Sequence, residues 1–170
     1  IPGIDIKLQH NDIFKFGNIE FKIIFVPGHT IGHICFYSSN EKIIFTGDTL
    51  FSMGCGRVFE GSHSQMLESL KEIKSLPKTT KIYCGHEYTK KNLDFCLELE
   101  SDNYFLKEKK KWINLRIDKK EPTLPVTIED ELNTNIFLRC NVPSVKKSLG
   151  MKNSPEVEIF KKLRDLKDSF

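Results

Sequence analysis

Ile19-Glu20-Phe21-Lys22-Ile23-Ile24-Phe25-Val26 runs without interruption into Pro27-Gly28-His29-Thr30-Ile31-Gly32-His33. The first stretch is β-branched and aromatic with charges interleaved, the pattern of a strand. The second is a glycine-bounded loop carrying two imidazoles, and loops at strand ends are where a rigid sheet can gather functional side chains. Working outward, the same theme repeats. Ile4 to Leu8, Ile34 to Tyr37, Ile43 to Thr46 and Lys81 to Cys84 also read as strands, bounded by Gly and Asn. Thr46-Gly47-Asp48-Thr49-Leu50 follows one of them and Tyr83-Cys84-Gly85-His86-Glu87-Tyr88 closes another. Between these two, Ser62 and Gln65 are spaced as a capping box, and Met66, Leu67, Leu70 and Ile73 recur at helical period. Strands alternating with a helix predict a layered α/β or α+β unit.

Past Tyr88 the period changes. Leu93, Cys96, Leu97 and Glu100, then Leu106, Trp112, Ile113 and Ile117, follow three-to-four spacing and predict helices. Glu121-Pro122-Thr123-Leu124-Pro125 is expected to be a turn or extended linker, because each proline removes a donor and disfavours helix in its predecessor. A last helix is expected to start with Ser154 as N-cap and Pro155 in the first turn, burying Val157, Phe160 and Leu163. The expected division is therefore residues 1–88, sheet-rich, and residues 89–170, helical.

Composition excludes several classes. The 170 residues are 39% hydrophobic, enough to build a core, and 26 Lys+Arg against 23 Asp+Glu leave a net charge of +3. That bias is too small to indicate nucleic acid, and the run Lys107 to Lys111 reads as a solvated helix face. No apolar run approaches the roughly 18 residues of a membrane span. The five cysteines (Cys35, Cys55, Cys84, Cys96, Cys140) are scattered without a C-x-x-C pair, which suggests a reducing, cytoplasmic setting rather than a disulfide framework. No targeting segment is visible, and a monomer is favoured.

His29, Asp48 and His86 each stand in one of the three glycine-containing strings, and imidazole nitrogen and carboxylate oxygen are ligands that zinc, iron and manganese accept. The ordered set G-H-T-x-G-H, F-T-G-D-T-L-F, G-C-G-R-V-F-E-G and Y-C-G-H-E-Y-T resembles glyoxalase II, the hydroxyacylglutathione hydrolases of the metallo-β-lactamase superfamily. The likeness continues in E-P-T-L-P at residues 121–125 and in Arg-Asp-Leu-Lys-Asp-Ser-Phe at residues 164–170.

The resemblance implies an α+β fold, part of an αββα sandwich followed by an α-helical C-terminal glutathione-binding domain. It implies two divalent metal ions, zinc or else iron or manganese, with His29 on the first, Asp48 bridging and His86 on the second, all three catalytic. His33 matches a supporting histidine, for which a structural role is favoured. Substrate contacts carried over are Arg57, Val58, Phe59, His86, Glu87, Tyr88, Arg164 and Lys167. The implied reaction is hydrolysis of the thioester S-D-lactoylglutathione to D-lactate and glutathione by a metal-bridging hydroxide, a step of methylglyoxal detoxification.

Two departures stand out. Phe59 occupies a position where family members often have Tyr, so one hydroxyl is lacking. The superfamily's T-H-x-H-x-D-H signature is absent from the 170 residues, and the remaining His10 and His63 lie in no such setting. That signature is expected upstream of Ile1; by ligand count the chain alone is an incomplete enzyme. Two other readings follow: a catalytically incomplete glutathione-binding module, and an iron enzyme of the persulfide dioxygenase type.

Overall fold

The computed structural model describes residues 3–170. Eight strands and six α-helices follow one another among the described residues. The strands β1 (Ile13–Phe16), β2 (Ile19–Phe25), β3 (Ile34–Ser38) and β4 (Ile43–Gly47) are consecutive, and a two-residue-per-arm hairpin, β5 (Leu50–Phe51) and β6 (Gly54–Cys55), follows. Helix α1 (His63–Lys74) then leads to β7 (Lys81–Cys84). The remainder comprises α2 (Thr89–Leu99), α3 (Tyr104–Asp118), β8 (Val126–Thr127), α4 (Ile128–Thr134), a 3₁₀ turn at Ile136–Arg139, α5 (Pro143–Ser148) and α6 (Glu156–Ser169).

Six strands form one mixed sheet in the order β1-β2-β3-β4-β7-β8. The first four pair antiparallel, β7 joins β4 in parallel with α1 as the crossover, and β8 returns antiparallel to β7. In β2, Glu20 and Lys22 are exposed while Phe21 and Ile23 are buried, as the strand pattern requires. Ile24, Val26, Cys35, Ile44 and Ile82 on one face join Met66, Leu67, Leu70 and Ile73 of α1 in a single apolar core. The other face carries an aromatic row: Phe14 meets Phe36, Phe36 meets Phe21, Phe21 meets Phe45 and Phe45 meets Tyr83, with ring centroids 5.4–6.2 Å apart.

The helix start at Ser62 is as expected, a reciprocal capping box with Gln65. Three expectations need correction. Ile4 to Leu8 form no strand; Ile4 and Ile6 are exposed, and the first strand among the described residues is Ile13–Phe16. The last helix begins one residue later than read, with Pro155 in extended backbone at the N-cap, and it buries Ile159 with Phe160 and Leu163 while Val157 is only half-buried. Ile117 is exposed, and α3 buries Leu106 and Ile113. The second half is also less purely helical than its period suggests. The extended segment after Lys120 leads into β8, which pairs Lys81 with Thr127 and Ile82 with Val126.

Candidate metal centre and adjoining cavity

His29, Asp48 and His86 converge. The three loops that follow β2, β4 and β7 emerge at the same end of the sheet, and Asp48 sits between the two imidazoles. Its Oδ2 lies 3.6 Å from His29 Nε2 and its Oδ1 lies 3.5 Å from His86 Nε2. Each carboxylate oxygen thus faces one histidine.

Backbone fit holds this arrangement. His29 Nδ1 donates to the Arg57 carbonyl at 2.9 Å, which leaves the Nε2 lone pair directed toward Asp48. The Asp48 amide donates to His33 Nε2 at 3.1 Å. Burial lowers the His33 pKa, which keeps that ring neutral and able to accept. His33 thus holds the aspartate loop through the Asp48 backbone amide. Gly85 is required by proximity, since a Cβ there would stand 2.5 Å from Asp48 Oδ1. At Gly56 a Cβ would meet the Asp48 carbonyl oxygen at 2.0 Å. His86 stacks on Tyr88 with centroids 5.0 Å apart.

The residues suit a cation in one respect: Asp48 Oδ1 is buried and has no hydrogen-bond partner. Among the described residues, however, no group of three or more His, Cys, Asp or Glu side chains is gathered around a single point. Asp48 instead presents one oxygen to each of the two imidazoles.

A cavity of about 500 Å³ opens beside this centre. Of the residues expected to touch substrate, Arg57, Phe59, His86, Tyr88, Arg164 and Lys167 line it. Val58 and Glu87 do not. Val58 is half-buried against the core, and the Glu87 carboxylate accepts from the backbone and hydroxyl of Thr123, fastening the proline-rich segment to the start of α2. Arg164 is only 3% exposed. It donates to the Cys55 carbonyl at 3.0 Å and to Asp168, and its guanidinium lies 5.1 Å over the Phe137 ring. It is built into the wall rather than projecting from it, and a solvated helix end is excluded. Lys167 hangs between the rings of Phe95 and Phe170 at 4.9 and 4.7 Å, and burial lowers its pKa to about 8.

Sequence reading missed Phe51, Lys91 and Asn92, which also line the cavity, and Asp168, whose Oδ1 is 3.3 Å from Arg57 Nε. Lys91 and Asn92 stand one turn beyond the Tyr88 string, so the helical period there was the available signal.

The fold is that of the metallo-β-lactamase superfamily, whose family model matches residues 1–86; the model described as hydroxyacylglutathione hydrolase C-terminus matches residues 87–170. Two structures share the architecture. ETHE1 from Myxococcus xanthus superposes with a TM-score of 0.60 at 21% identity, over 97% of this chain and 54% of that one. BLEG-1 B3 metallo-beta-lactamase gives 0.54 at 24%, over 79% and 48%. At such identity they report the fold alone. Curated relatives are much nearer. The hydroxyacylglutathione hydrolase of Pelagibacter ubique (strain HTCC1062) is 53% identical over all of this chain and 65% of its own length. That of Chelativorans sp. (strain BNC1) is 48% identical over all of this chain and 67% of its own. The chain belongs to the hydroxyacylglutathione hydrolase family of the metallo-β-lactamase superfamily. It spans about two thirds of the length of these relatives. Membership implies divalent metal binding. No helix among the described residues is long and apolar enough to cross a membrane.

Proposed function

We propose that this polypeptide serves the hydrolysis of S-D-lactoylglutathione to D-lactate and glutathione, a step in methylglyoxal detoxification carried out in the cytoplasm. In this reading residues 1–88 carry part of the metal centre and residues 89–170 form the glutathione-binding domain. The observation that supports it is the Asp48 carboxylate held between His29 and His86 at the end of a cavity whose wall carries Arg57, Arg164 and Lys167.

His29, Asp48 and His86 would hold the metal. Divalent ions there, two zinc or else iron or manganese, supply an acidified water and a Lewis acid for a thioester carbonyl. The remaining work falls to this chain's residues. The Arg57 carbonyl sets the tautomer of His29, and His33 fixes the aspartate loop. Glutathione carries two carboxylates, for which Arg57 and Lys167 are charge partners. Arg164 shapes the wall between them. Phe59 and Tyr88 offer aromatic faces to the rest of the substrate. A departing thiol with pKa of about 8.5 needs no strong acid, and the cavity presents none.

With two protein ligands per ion, the 170 residues alone are expected to bind glutathione without turnover. The test fuses them to the remaining third of the Pelagibacter ubique relative. Thiol release from the thioester and metal content are measured together, before and after Asp48→Ala. The expected result is hydrolysis that disappears with the metal in the variant. A fully metal-loaded fusion that leaves the thioester intact sinks the proposal.

A further inference from the structure

The hairpin of β5 and β6 joins two residues of the metal centre: Asp48 precedes it and Arg57, whose carbonyl orients His29, follows it. Its strands are only two residues long, and such a hairpin has no stability of its own. At its tip, Met53 adopts φ 54°, a left-handed conformation disfavoured for any residue with a Cβ. Something must impose this shape.

The contacts that impose it come from the helical half. Glu131 of α4 is fully buried and accepts from the Met53 amide at 2.8 Å. The same oxygen accepts from Asn135 Nδ2 at 2.8 Å, and Asn135 also donates to the Gly54 carbonyl at 3.0 Å. Asn92 of α2 donates to the Ser52 carbonyl at 2.9 Å, and the Cys96 thiol points to the Met53 carbonyl at 3.4 Å. Four side chains from two segments, α2 and α4 with its C-cap, therefore satisfy the turn of a hairpin some 40–80 residues away. Glu131 is the only acidic side chain among them; its Oε2 takes both hydrogen bonds, whereas its buried Oε1 has no partner, so the group is held there at a cost.

We infer that Glu131 is a positioning residue of the metal centre: by anchoring the Met53 amide, with Asn135 and Asn92, it fixes the hairpin whose two ends carry Asp48 and Arg57. The helical half, in addition to lining the cavity, is the mould in which the metal-binding loop takes shape. This deepens the hydrolase reading, since it rests on Asp48 and His29 serving that site. The polar network itself is independent of any substrate.

Two variants test it. Glu131→Met fills the same volume but offers the Met53 amide no oxygen; Glu131→Gln retains an acceptor. Hydrogen exchange is followed by mass spectrometry at matched global stability, and the hydrogen-bonded His29 Nδ1 proton by NMR. In Glu131→Met, peptides covering 49–57 are expected to exchange about tenfold faster, with the His29 proton lost, while β2, β3 and α1 retain their protection. Glu131→Gln is expected to restore both signals. Unchanged protection at 49–57 in Glu131→Met, or protection lost equally across the sheet, overturns the inference. If Glu131→Met does not fold, Asn92→Leu decides by the same criteria. Thioester turnover of the wild-type fusion is scored separately, so a failed hydrolase reading is distinguishable from a failed anchor.

Discussion

The two halves of the molecule hold their functional side chains by different means. In the sheet half, His29 and Asp48 are located by backbone: a carbonyl on His29 Nδ1, an amide from Asp48 to His33, and glycines where a Cβ would strike the aspartate. In the helical half, Arg164 and Lys167 rest chiefly on aromatic rings, with Phe137 beneath one and Phe95 and Phe170 around the other. The difference teaches where each half should fail. Errors in the first are errors of fit over tenths of an ångström; errors in the second are losses of packed volume.

The comparison can be broken hardest at Phe137, which is fully buried against Phe95 and Phe160. Phe137→Ala is expected to lower unfolding free energy by about 3–5 kcal/mol in a urea titration while the His29 Nδ1 proton signal persists. Gly56→Ala should do the reverse. Overpacking against the Asp48 carbonyl is expected to reduce stability by about 1–3 kcal/mol and to strip metal from the fused protein.

Much of the sheet half was legible before its structure was seen, because strands of period two ending in Gly-His and Gly-Asp leave a local trace. The hairpin at 50–55 left none: its register is set by Glu131, Asn135 and Asn92, and no window of sequence contains both partners. β1 and β8 were missed for a related reason. The former is short and mostly exposed, and the latter exists only because β7 is beside it. Glu87 illustrates the limit for site residues. Its place in a motif was readable, whereas its capture by Thr123 depends on a segment 36 residues away.

Glu131 also allows a sharper contrast by titration. Burial raises its pKa to about 7, opposed by hydrogen bonds from Asn135 and Met53 and by Lys109 of α3, with Asp130 acting in the same sense as burial. The native state therefore holds a proton that the unfolded chain has released. Stability should fall as pH rises from about 4.5 through 7, and Glu131→Gln should flatten that slope.

For Lys167 the sign is opposite in origin. Its lowered pKa means that its charge, and glutathione binding with it, should decline as pH passes about 8. Lys167→Met is expected to weaken glutathione binding about tenfold by calorimetry and to remove that pH dependence. The smallest effect is expected at Phe59, which lines the cavity and whose ring lies 5.1 Å from that of His29. Phe59→Tyr adds a hydroxyl there and should tighten glutathione binding by about 1 kcal/mol or less.

Strand β8 has a consequence for motion. Because Val126 and Thr127 are hydrogen-bonded into the sheet beside β7, the helical half is stitched to the very strand that delivers His86. The cavity between them cannot gape like a hinged jaw without unzipping those bonds. Phe59 and Tyr88, both exposed, stand at the cavity and can change rotamer within picoseconds to nanoseconds. Slow domain opening is therefore expected to be absent from the kinetics of ligand association at this site.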